Sequence, residues 1–246
     1  MLGPVSDPVR DPPPQPARDP GPLRSFDPVA IGRLESAAWA AYYRRQWPRL
    51  LVLSLLLVHR GFGLDWPRTV HGAWLVARAN MRWAPYPDND PAGARRCMRR
   101  FYALLRLAHG APADPARAAA LEVAWWAEHR ARQHGPAATG GADPLVTALT
   151  RLYAYLYRAD EESVRPAARL RAEAMDLSDR WVQEGAAPDS PLLPAERAAL
   201  VRSYAALLAA VHQLPPATSP APGRVPRPSG QDAGHGQAGV RGEIQR

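Results

Sequence analysis

Four times in the chain the dipeptide Asp-Pro stands directly ahead of a periodic apolar stretch, at Asp27-Pro28, Asp90-Pro91, Asp114-Pro115 and Asp143-Pro144. A free carboxylate just outside a first turn accepts from amides that have no intrahelical partner. Proline at the first helical position gives up a donor that would be unpaired there anyway. Asp65, two residues before Pro67, is a looser version of the same signal. Stops follow at Gly61, Gly110, Gly135 and Gly185 or at Pro85 and Pro215.

With a 3.6-residue apolar period these starts and stops predict helices near 28–46, 48–60, 66–83, 91–109, 115–134, 144–157, 161–184 and 194–213, and no strand. The fold class is all-α, one domain of eight helices. These fall into two sets of four. At an offset of 87, Leu34-Glu35, Trp39-Ala40 and Arg45 face Leu121-Glu122, Trp126-Ala127 and Arg132. Further along, Pro67 faces Pro166, Arg82-Trp83 faces Arg180-Trp181, and Tyr102-Ala103 faces Tyr204-Ala205. The preserved order predicts a duplication, residues 27–110 and 111–213, folded into one pseudo-twofold domain.

Prolines crowd residues 1–26 and 214–246, where apolar residues are too sparse to offset ordering entropy. Both segments are predicted to be disordered tails. The start lacks the basic-then-apolar pattern of a secretory leader, and the longest apolar run, Leu50 to Val58, is about half the length of a membrane span. That run is expected to be a buried core helix, in a cytoplasmic protein with no membrane span. The single cysteine, Cys97, excludes an intramolecular disulfide and a multi-cysteine zinc site, and its expected role is core packing.

All 31 basic residues are arginine. Thirteen of them against five acids give residues 26–110 a charge of +8, whereas eleven against thirteen acids give residues 111–213 a charge of −2. A first half this basic would steer an acidic partner toward itself.

Glu35 and Glu122 occupy matching positions on apolar helix faces, followed two turns later by Tyr42 and His129. A pseudo-twofold axis would bring the two carboxylates together, able to share a proton or, with the imidazole, hold a metal. Glu35, Glu122, His129 and Tyr42 are therefore the catalytic candidates. The Glu-x-x-His motif of di-iron bundles is missing, however, and Glu122 and His129 stand about 10 Å apart along one helix, so no metal site is assigned. The competing reading makes both acids structural, paired with Arg78, Arg82, Arg169 or Arg180.

Binding candidates are Arg95, Arg96, Arg99 and Arg100, a basic face on the fourth helix suited to phosphates or anionic lipid, together with Trp83, Asp88 and Asn89 around the preceding turn. No phosphate loop, dinucleotide fingerprint, nucleophile elbow or Cys-His pair occurs, and no cofactor is implied. The sequence alone does not assign a function. It favours a non-enzymatic helical module that binds a partner protein or an apolar small ligand. The rivals are a carboxylate- or metal-dependent enzyme centred on Glu35, Glu122 and His129, and a regulator that contacts nucleic acid through its basic fourth helix.

Overall fold

A computed structural model describes residues 21–111, 113–135 and 141–212. The predicted tails, apart from residues 21–26, lie outside the described residues. Eight helices follow in order: α1 (Pro28–Tyr43), α2 (Trp47–Phe62), α3 (Trp66–Trp83), α4 (Pro91–His109), α5 (Pro115–His134), α6 (Pro144–Tyr157), α7 (Glu161–Gln183) and α8 (Leu192–His212). Among the described residues there is no strand.

The aspartates begin the helices as their chemistry requires. Asp27 accepts from the amides of Val29 and Ala30, Asp65 from Arg68, Asp90 from Gly93, Asp114 from Arg117, and Asp143 from Leu145 and Val146. Two ends differ from expectation. Helix α1 stops at Tyr43, and Arg45 takes a left-handed backbone. Helix α2 runs through Gly61 and is capped by left-handed Gly63 instead.

Each helix packs against its neighbours in sequence, and α8 closes the set by packing on α1. The closest approach is at Gly32, where an added Cβ would stand 2.8 Å from the backbone of Val201, so the α1–α8 contact admits no side chain there. Alanines and serines make the broad α7–α8 contact: Ala167, Ala168, Ala172, Ala174 and Ser178 against Ala199, Ser203 and Ala210, with Ser203 donating to the Ala167 carbonyl at 2.8 Å.

Among the described residues most buried side chains sort into two large cores, with a small third of Ala174, Ala199 and Leu200. One gathers Val58 and Leu64 with α3, α4 and α5, and contains Cys97 and Phe101. The other gathers Phe26 and Ile31 with α6, α7 and α8. Helix α1 thus lies in the core of α6–α8 and α5 in the core of α3–α4, while Trp125 packs against both. We propose that duplication produced this arrangement, each half lending its first helix to the other's core.

Residues 21–26 belong to the domain and not to a tail. Phe26 is buried edge-on against Tyr204, Arg24 donates to the Tyr157 carbonyl at 2.6 Å, and His212 meets the Arg24 carbonyl. The larger departure concerns α2. Apolar content predicted a buried helix, yet of its sixteen residues only Val58 is buried, and Leu51 and Val52 are more than half exposed.

Candidate functional site

Glu35, on the inner face of α1, is 5% exposed. Arg171 of α7 grips it with both terminal nitrogens, Nη2 to Oε1 at 2.5 Å and Nη1 to Oε2 at 3.0 Å. Tyr204 of α8 donates to the same carboxylate at 2.6 Å and accepts from Arg171 at 3.1 Å. The guanidinium lies over the rings of Trp125 and Tyr204. A planar cation held between rings and donating a fork of hydrogen bonds is the geometry that best compensates a buried carboxylate.

Glu122, on α5, sits in the other core. Tyr102 of α4 donates to its Oε2 at 2.7 Å, and Trp126, one turn on, donates to Oε1 at 3.2 Å. Among the described residues no cation touches it. Burial, opposed by these donors and by the more distant charge of Arg171, pushes its carboxyl above the usual range. The hydroxyls of Tyr102 and Tyr204 are both raised well above ordinary tyrosine, first by burial and then by the glutamate each one faces, and both stay donors.

A third acid completes the interior. Glu196, on α8, is 2% exposed and accepts from the Ser36 hydroxyl at 2.5 Å, while its other oxygen has no partner. Burial raises its carboxyl to about 7, against the Ser36 hydrogen bond and with the help of the Glu35 charge.

The remaining candidates lie elsewhere. His129 pairs with Asp179 of α7 at 3.0 Å, away from both glutamates, and Tyr42 is exposed beside Tyr43 and Trp47. Among the described residues no three His, Cys, Asp or Glu side chains gather as a metal would need. Trp83 is half-buried against Trp126 with Arg130 over its ring; Asp88 is exposed and Asn89 half-buried. Arg95, Arg96, Arg99 and Arg100 are all exposed on α4, and among the described residues only Arg96 approaches a carboxylate, Asp90 at 3.8 Å.

The partner of Glu35 is therefore not one of the four arginines expected from sequence. Arg82 bonds Asp90 at 2.6 Å, Arg78 lies over Trp74, and Arg169 and Arg180 line a hollow of about 370 Å³ beside α6 and α7. That hollow is open and charged, Arg132 at its edge bonding Asp143 and Asp176, and neither Glu35 nor Glu122 lines it. Arg171 carried a signal of its own. It stands seven residues from both Val164 and Ser178 on a stripe with Ala167, Ala168, Ala174 and Met175, the one charge on the buried face of α7.

The most unusual surface is the outer face of α3. Its buried side consists of Thr69, Gly72, Ala73, Leu75 and Ala79, while Trp66, Val70, Trp74 and Met81 are 50 to 74% exposed. Spaced four, four and seven residues apart, these four form one stripe. Trp47, Leu51 and Val52 of α2 are exposed as well. Arg78 leans over Trp74 at 5.1 Å, and Trp66 stacks on His59 at 4.4 Å. Scattered exposed apolar residues are ordinary, but an unbroken aromatic and aliphatic stripe on one helix, with small residues turned inward, is not.

Compared with family models, with curated proteins and with solved structures, the chain matches none.

Proposed function

We propose that the protein is a helical docking module that binds a macromolecular partner through the outer face of α2 and α3. The observation that carries this reading is the exposure of Trp66, Val70, Trp74 and Met81 on α3, opposite a packed side of Thr69, Gly72, Ala73, Leu75 and Ala79. Hydrophobic stabilisation would place Trp66, Val70, Trp74 and Met81 inside if folding alone were served. Tryptophan, methionine and arginine are also the side chains enriched where proteins are recognised.

Catalysis has less support. Glu35 is occupied by Arg171 and Tyr204, Glu122 by Tyr102 and Trp126, and His129 by Asp179, so each is already engaged within the fold. An apolar small ligand has less support as well, because the stripe is an outer helix face and the hollow beside α7 is open and charged.

The test is the combined variant Val70→Gln, Trp74→Gln and Met81→Gln in the full chain. Three substitutions on a free surface are expected to alter stability by less than about 1.5 kcal/mol in sum, a shift of a few degrees in melting temperature. A fall of about 10 °C or more would show that the chain itself covers this stripe, and the docking reading would be withdrawn.

A further inference from the structure

Resting on the docking reading, we infer that the partner is an anionic lipid surface, against which the α2–α3 elbow lies with its apolar stripe toward the acyl chains and its arginines at the headgroups. Three features point to this occupant.

The first is hydropathy. No single described helix is long and apolar enough to cross a membrane, but α2 and α3 together reach that apolar length, with a bend of 116° between them. Core helices reach it too when the fold buries them. Helix α2 fully buries only Val58 and α3 five residues, four of them small, and Leu51, Val52, Val70 and Met81 stay exposed along the pair. A bent pair of about 24 and 27 Å is shaped to lie along an interface.

The second is charge. Residues 47–109 carry ten arginines and three acids, Asp65, Asp88 and Asp90. Asp65 and Asp90 cap helices and are paired with Arg68 and Arg82. Arg95, Arg96, Arg99 and Arg100 extend this cationic surface along α4, which packs on α3. With residues 111–213 at −2, the molecule has a basic end and a faintly acidic one, and an anionic surface would attract the end that carries the stripe.

The third is the identity of the exposed side chains. Trp47 and Trp66 open their helices and Trp74 lies mid-stripe, rings suited to the boundary between headgroup and acyl chain, with Leu51, Val52, Val70 and Met81 as the apolar filling. Nucleic acid would attract the arginines but offer nothing to those aliphatic side chains. A symmetric second copy would set one arginine-rich face against another.

The experiment is sedimentation of the full chain with phosphatidylserine-containing and with pure phosphatidylcholine vesicles, with tryptophan fluorescence read in the presence of brominated lipid. Expected are binding at least about tenfold tighter to the anionic vesicles, weakened by salt, and quenching of emission. Two variants, each first shown to melt like the parent, divide the contributions. Val70→Gln with Trp74→Gln and Met81→Gln is expected to abolish binding, and Arg95→Gln with Arg96→Gln, Arg99→Gln and Arg100→Gln to weaken it about tenfold or more. Absence of binding to anionic vesicles at low salt overturns the inference, as does equal binding to neutral ones. So does binding that only the arginine variant reduces, which would leave a general polyanion site, or a dimer in solution that the stripe variant dissolves. In all these cases an unchanged melting temperature for the stripe variant leaves the docking reading standing with another partner, and only a large fall removes both.

Discussion

Glu35 and Glu122 stand at corresponding places on α1 and α5, each receives a tyrosine hydroxyl, and among the described residues only Glu35 receives a cation. Tyr204 and Tyr102, which also correspond in sequence, reach the two carboxylates at 2.6 and 2.7 Å. Helix α7 then supplies Arg171 to Glu35. With Pro67 set against Pro166, the place of Arg171 on α3 falls at Gly72 and Ala73, both buried, and a Cβ on Gly72 would meet the Phe101 ring at 3.2 Å. One core therefore holds its carboxylate by pairing it and the other by making the neutral form cheaper. Burial alone would lower the Arg171 guanidinium, but the charges of Glu35 and the facing tyrosines carry it well above its usual value.

The largest expected effect follows from removing that cation. Arg171→Leu leaves Glu35 charged and buried, and is expected to cost about 3 to 5 kcal/mol in denaturant melts, with Glu35→Gln, which strands the arginine, costing a similar amount. The double variant should recover much of the loss. Glu122→Gln keeps an acceptor for Tyr102 and removes no partner cation, so its cost is expected to stay within about 1 kcal/mol. Equal costs for the two glutamine variants would mean that the cores manage their carboxylates alike.

Glu196 sharpens the contrast through pH. Its folded carboxyl lies at about 7 and its unfolded one near the ordinary 4.5. Between those values the folded state holds a proton that the unfolded state has released. Stability from this group is present below about pH 4.5 and is lost as pH rises toward 7, by about 3 kcal/mol. Glu122, raised in the same direction, adds a slope of the same sign. Melting temperature should fall between pH 5 and 8, and Glu196→Gln should flatten that fall. A rising profile, or an unaltered slope in the variant, would refute the assignment.

The same contrast marks how far sequence reading reaches. Helix starts were legible because an Asp cap acts within three residues, and at Asp27, Asp65, Asp90, Asp114 and Asp143 the local chemistry decides the outcome. The buried Glu35 and its sequence match to Glu122 were legible from their place on apolar faces. The partner of Glu35 was not, because choosing Arg171 over Arg78, Arg82, Arg169 or Arg180 depends on how α7 is rotated against α1. The orientation of α3 was not legible for a related reason. A 3.6-residue period identifies a helix with two candidate stripes, and here the stripe of Gly72, Ala73 and Ala79 packs inward because α4 approaches closely, leaving Trp66, Val70, Trp74 and Met81 outside. Apolar content likewise says nothing of what covers Leu51 and Val52.

The smallest predicted difference is between the two tyrosines. Both hydroxyls are buried donors of nearly equal length, so distance gives no reason for unequal worth. The acceptors differ: Tyr204 donates to a carboxylate that Arg171 also grips, whereas Tyr102 donates to one whose carboxyl burial pushes upward. Hydrogen bonds to charged groups contribute about 1.5 to 3 kcal/mol, and neutral ones about 1. Tyr204→Phe is therefore expected to cost about 2 kcal/mol and Tyr102→Phe about 1, a gap that chemical denaturation resolves. Repeating both substitutions in the Arg171→Leu background makes the comparison decisive. Without the guanidinium, Tyr204 and Tyr102 each donate to a carboxyl that no cation grips, the two costs converge, and the coupling energy between Arg171 and Tyr204 is read directly from the cycle. Equal costs in the parent protein, or a gap that survives loss of Arg171, would show that something other than this one cation sets the two cores apart.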